Sequence, residues 1–105
     1  MQVIDLTHTI YENMPVYPGT DRPKLEIANT YEKNGFRETL LTMFSHTGTH
    51  MDAPAHLFAE TDIVIIENLT CLGQVGDELF TFCALPIKYN NSDGAPVRAV
   101  AILHD

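Results

Sequence analysis

Short runs in which apolar and polar residues alternate, rather than a repeat of three to four, dominate this chain. Residues 24–31, Lys-Leu-Glu-Ile-Ala-Asn-Thr-Tyr, place Leu25 and Ile27 together, because successive side chains of a strand point to opposite faces. Asn34-Gly35 then supplies a turn, and residues 36–44, with their aromatic and β-branched side chains, complete a hairpin. Residues 3–6 read as a short strand. Residues 13–19 read as extended loop, since Pro15 and Pro18 each bias the preceding residue away from the helical region.

Farther along, residues 62–66 form an apolar run of the kind expected for a strand buried on both faces. Residues 79–85 and 97–103 predict two more strands, joined through the turn-rich cluster at 90–96. Helical patterning is limited to residues 55–60 and the turn after Glu67. With no repeat or linker in view, residues 1–105 are expected to form a single domain.

Composition narrows the function classes. Apolar residues make up 45% of the 105 and charged residues 19%, a globular balance. No apolar run reaches the eighteen or so residues of a membrane helix, and no signal-peptide pattern opens the chain, so a soluble, cytoplasmic protein is expected. Cys71 and Cys83 form no Cys-x-x-Cys motif. Net charge of −8 argues against nucleic acid as a partner. A chain this small buries a modest share of its surface, so a bound metal or homo-oligomerisation is expected to support it.

The chemistry concentrates in one segment, His46-Thr-Gly-Thr-His50-Met-Asp52-Ala-Pro-Ala-His56. Histidine and aspartate are good ligands for a borderline divalent cation such as zinc or manganese. No single regular element can gather all four. On a helix Asp52 would lie roughly 200° round from His50, and on one straight strand His46 and His56 would be about 33 Å apart. The backbone must therefore turn, and Gly48 and Pro54 are residues that allow or enforce a turn. Three protein ligands leave a coordination position for water, while His56 suits general acid/base work or a further ligand role.

The pattern His-x-Gly-Thr-His-x-Asp-Ala-Pro-x-His resembles the hallmark of the cyclase-like metal-dependent hydrolases, which include bacterial kynurenine formamidases. Residues 4–19 and 85–99 are similar to that family's N-terminal and C-terminal segments. The resemblance implies His46, His50 and Asp52 as metal ligands, His56 as the catalytic histidine, and Asp52 as a bridge should a second metal bind. It also implies a role for Glu67 in the metal site's proton transfers; without it, Glu67 reads as an ordinary surface acid. Ten residues separate His56 from Glu67, where family members carry a longer stretch that ordinarily brings another histidine ligand and much of the helical layer.

The resulting expectation is a small, strand-rich α/β domain resembling the swivelling β/β/α cyclase fold, with part of its helical layer missing. The implied activity is metal-dependent hydrolysis of a carbon–nitrogen bond in a small amide, a formamide such as N-formylkynurenine, or a cyclic amide. The competing expectation is a metal- or ligand-binding remnant that serves as an assembly subunit. His8 and His104 are the remaining histidines, and neither has a spacing that marks it as a ligand.

Overall fold

The computed structural model describes residues 1–53 and 63–105. The described residues contain strands β1 (Gln2–Asp5), β2 (Lys24–Asn29), β3 (Glu38–Thr42), β4 (His50–Asp52), β5 (Ile65–Glu67), β6 (Thr81–Pro86) and β7 (Gly94–Leu103). A single-turn helix, α1 (Tyr31–Asn34), and a 3-10 turn at Leu72–Gln74 are the helical pieces. These elements fall into two compact units, residues 1–9 with 45–105, and residues 10–44.

The larger unit is organised on β7. Antiparallel partners β1 and β6 both pair along residues 100–102 of β7, so they lie on its two edges. Beyond the end of β1, β4 pairs with Gly94–Pro96, and β5 extends the sheet from β4. Ala95, Val97, Ala99 and Ala101 alternate onto one face of β7 and are buried. Ile4 and Leu6 meet them from the β1 side, and Val75 and Leu69 pack there from the segment after β5. Burying each large aliphatic side chain in such a cluster contributes roughly 1.5–3 kcal/mol.

Two threonines tie the strand ends that flank the histidine segment. The Thr7 hydroxyl accepts from the Ala99 N–H at 2.9 Å and donates to the Ala99 carbonyl at 3.1 Å. The buried Thr49 hydroxyl accepts from the His8 N–H at 2.9 Å and donates to the Asn68 carbonyl at 2.6 Å. Both hydroxyls are thus satisfied in both directions, which removes the cost of burying them.

The smaller unit holds the predicted hairpin, with Leu25 opposite Leu41 and a register shift between Ile27 and Asn29. Its connection is α1 rather than a two-residue turn. The Thr30 side chain accepts from the Lys33 N–H, Asn34 Oδ1 accepts from the Thr30 N–H, and Gly35 closes the turn at φ 79°. That left-handed conformation favours glycine.

The expected α/β layering is not present among the described residues. Strands account for 39% of the described residues and helical turns for 7%, and every strand pairing is antiparallel. Antiparallel neighbours can be joined without a helical crossover, so such a sheet needs no helical layer for its connections. The strand expected at 62–66 is also shorter and less buried. Among the described residues of this stretch Ile65–Glu67 pairs, with β4, while Ile63 and Val64 are exposed. The helical candidate at 55–60 lies outside the described residues.

Candidate metal centre

The centre is assembled where β4 is held between β5 and β7. Strand alternation sends His50 and Asp52 to one face of β4 and Met51 to the other, where Met51 packs on the core. Cross-strand register then places Glu67 opposite His50 and Gly94 opposite Asp52. His46 precedes the strand and reaches the same place because the chain turns at Gly48, whose φ is 64°. Gly94 leaves room for the ring. A Cβ there would stand 2.6 Å from the Met51 carbonyl oxygen and 2.9 Å from His46 Nε2.

One ligand atom from each of His46, His50 and Asp52 lies within 4.8 Å of the others. His46 Nδ1 is 2.8 Å and His50 Nε2 is 3.1 Å from the same oxygen, Asp52 Oδ1. The two rings meet edge to face at 89°. Tetrahedral ligands at ordinary zinc distances stand roughly 3.4 Å apart, so small side-chain adjustments suffice to accommodate a cation.

The hydrogen bonds around His50 make the same point chemically. Its Nδ1 lies 2.7 Å from the Gly48 carbonyl oxygen, which can only accept, so Nδ1 carries a proton. In the neutral ring Nε2 is then a lone pair, yet it faces Asp52 Oδ1 at 3.1 Å and Glu67 Oε2 at 3.0 Å. Three acceptors converging on one point are held together by a proton, on the ring or on a carboxyl group, or by a metal ion. The residues present therefore fit a divalent cation, and the group can hold one.

Burial is one-sided. The His50 and Asp52 side chains are 4% and 9% exposed, whereas Glu67 and Asp93 are 50% and 49% exposed. Solvent and solutes thus approach from the side of these two carboxylates. Asp93 Oδ2 is 3.2 Å from His46 Nε2. Partial burial pushes the Asp93 carboxyl up, but bonds from Ser45, His46, its own backbone and Tyr89 outweigh this and hold it below the usual carboxylate value. A separate cavity of about 390 Å³, bordered by Met51, Ala53, Ile87, Tyr89 and Ala95, adjoins the Met51 face of β4 rather than the His50 face.

Among the predicted residues, His46, His50 and Asp52 come together and Glu67 stands against His50. His56 lies outside the described residues. His8 is held through its backbone N–H on Thr49, and His104 Nε2 meets the Thr81 hydroxyl at 2.8 Å; neither joins the histidine–aspartate group. Sequence reasoning missed Asp93 and Gly94. Both sit in the turn-rich stretch read as a connector and, by resemblance, as part of a C-terminal segment with no site role, and Asp-Gly at the entrance to a strand was the available signal.

No helix among the described residues is long and apolar enough to cross a membrane. A search of curated proteins found no match to the chain. The family model described as Putative cyclase matches residues 4–94, a span that includes the whole histidine segment, Glu67 and Asp93. The chain belongs to the cyclase family.

Proposed function

We propose that this cyclase-family protein hydrolyses a carbon–nitrogen bond in a small amide, formamide or cyclic amide with the help of a divalent metal, zinc or manganese. The observation that carries the reading is the convergence of His46 Nδ1 and His50 Nε2 on Asp52 Oδ1, with Glu67 beside them on the open side. A divalent cation, when bound, supplies Lewis acidity towards a carbonyl oxygen and lowers the pKa of water.

The chain's own residues do the rest. His46, His50 and Asp52 hold the ion, and the Gly48 carbonyl orients His50 through its Nδ1–H. Hydrolysis removes a proton from water as its oxygen bonds to the carbonyl carbon, and delivers a proton to the nitrogen as the carbon–nitrogen bond breaks. Glu67, half exposed and adjacent to His50, is placed to hold one of those protons. His56 shares the work in this reading on the strength of its motif position alone.

Self-association belongs to the same proposal. The sheet face away from the core carries Val3 and Leu85 largely exposed, and such surface is usually covered by a partner. A second copy of the chain would cover it, with sedimentation velocity as the measurement.

The test of function is metal content by elemental mass spectrometry, followed by hydrolysis of N-formylkynurenine and a lactam panel with and without chelator. Stoichiometric metal and chelator-sensitive turnover are expected. Metal without turnover on any of these substrates would favour a metal-binding assembly subunit, and H56A with full turnover would remove His56 from the mechanism.

A further inference from the structure

His46 and His50 turn different ring nitrogens towards Asp52, Nδ1 for the first and Nε2 for the second. Each ring then has its other nitrogen against an acceptor outside the ligand triad. For His50 that acceptor is the Gly48 carbonyl, which the turn itself holds in place. For His46 it is Asp93 Oδ2, a side-chain carboxylate on the loop that enters β7. A half-exposed carboxylate aligns a ring only if it is itself restrained. Asp93 is restrained: its Oδ1 accepts from Ser45 Oγ at 3.1 Å and lies 3.2 Å from the Tyr89 hydroxyl, whose proton is shared with the Gly94 carbonyl oxygen, while its Oδ2 faces the imidazole.

We infer that Asp93, braced by Ser45 and Tyr89, is a positioning residue that accepts the Nε2–H of His46 and thereby presents the Nδ1 lone pair to the metal. The inference deepens the proposed metal site and rests on it. A ring flipped about its Cβ–Cγ bond would direct carbon atoms, not nitrogen, at Asp52 and Asp93, so two acceptors on opposite sides select one orientation. Gly94 contributes by omission, because any β-carbon next to Asp93 would occupy space the His46 ring fills. The loop before β7 is on this view a working part of the centre. Carboxylate support of a ligating histidine commonly changes metal affinity by roughly 10–100-fold.

The experiment compares wild type, D93A, D93N and Y89F by chelator-competition titration with Zn(II) and by the visible spectrum of the Co(II)-loaded proteins, with far-UV circular dichroism as a check of folding. D93A is expected to bind about 10–100-fold more weakly with an altered Co(II) spectrum. D93N, whose amide oxygen can accept the same N–H, should retain most of the affinity, and Y89F should show a smaller loss than D93A. Should D93A fail to fold, D93N and Y89F carry the comparison. Long-range nitrogen–proton spectra of the zinc-bound wild type should show a proton on Nε2 of His46 and on Nδ1 of His50. Wild-type affinity and an unchanged spectrum in D93A, or a proton on Nδ1 of zinc-loaded His46, would overturn the role of Asp93 alone. A wild-type protein that takes up neither ion would overturn the metal site itself.

Discussion

His50 on β4 and Glu67 on β5 are direct cross-strand partners, and His50 Nε2 lies 3.0 Å from Glu67 Oε2. The contact is a consequence of register, since a one-residue slip of β5 would turn Glu67 to the opposite face and bring Ile66 against the histidine. Glu67 is half exposed, so its replacement costs the fold little. E67Q should retain the wild-type circular dichroism and melting behaviour while turnover falls about 100-fold or more. Undiminished turnover would show that Glu67 moves no essential proton.

Metal should stabilise the fold by mass action. Saturation at 100 times the dissociation constant is worth about 2.7 kcal/mol, so the melting temperature should rise with Zn(II) concentration and fall with chelator. H50A removes the most deeply buried of the three ligand side chains and should abolish that dependence. Calorimetry with and without metal makes the comparison, and an H50A protein stabilised as much as wild type would place the ion elsewhere.

Gly94 cannot gain a methyl group without movement of both the Met51 carbonyl, which the new carbon would meet at 2.6 Å, and the His46 ring, whose Nε2 it would meet at 2.9 Å and whose Cε1 it would meet more closely still. Overpacking of this kind typically costs about 1–3 kcal/mol. G94A should therefore lower the urea midpoint and weaken metal binding together, whereas a midpoint equal to wild type would mean that the β4–β7 pairing yields easily.

Thr49 offers a test of the scaffold without touching a ligand. Valine fills the same space but leaves the His8 N–H and Asn68 carbonyl without the hydroxyl that now serves both. T49V should lose roughly 1–3 kcal/mol in denaturant titration. No loss would indicate that water replaces the hydroxyl at this position.

The acid limb of stability should carry a small contribution from Asp5. The Arg98 guanidinium, aided by the N–H of Thr7, holds the Asp5 carboxyl below its ordinary value against the opposing effect of burial. A carboxyl whose folded pKa is depressed stabilises the fold above its unfolded pKa, and that contribution is lost as pH falls through the folded value. Wild type should therefore exceed D5N slightly in urea midpoint near neutral pH, and the two should converge in acid. Solvent screening of this exposed pair keeps the difference small. Parallel curves at all pH values would assign the effect to something other than ionisation.

The sequence by itself determined most of the local elements and the residues of the candidate metal group. Alternation at residues 24–31 and short apolar runs bounded by turn residues elsewhere predicted β1, the β2–β3 hairpin, β6 and β7, because such patterning reflects the geometry of a single strand. The histidine motif likewise named His46, His50 and Asp52, since ligand type is a property of each side chain and the need for a turn at Gly48 follows from their spacing. Tertiary structure alone decided the rest. Antiparallel pairing throughout the described residues replaced the expected α/β arrangement, a choice made by contacts between strands far apart in sequence. The same long-range register set Glu67 against His50, and the β4–β7 pairing brought Asp93 and Gly94 to His46. Those two residues looked like connector in one dimension because a turn's composition reports how the chain bends, and carries no record of what the bend will touch.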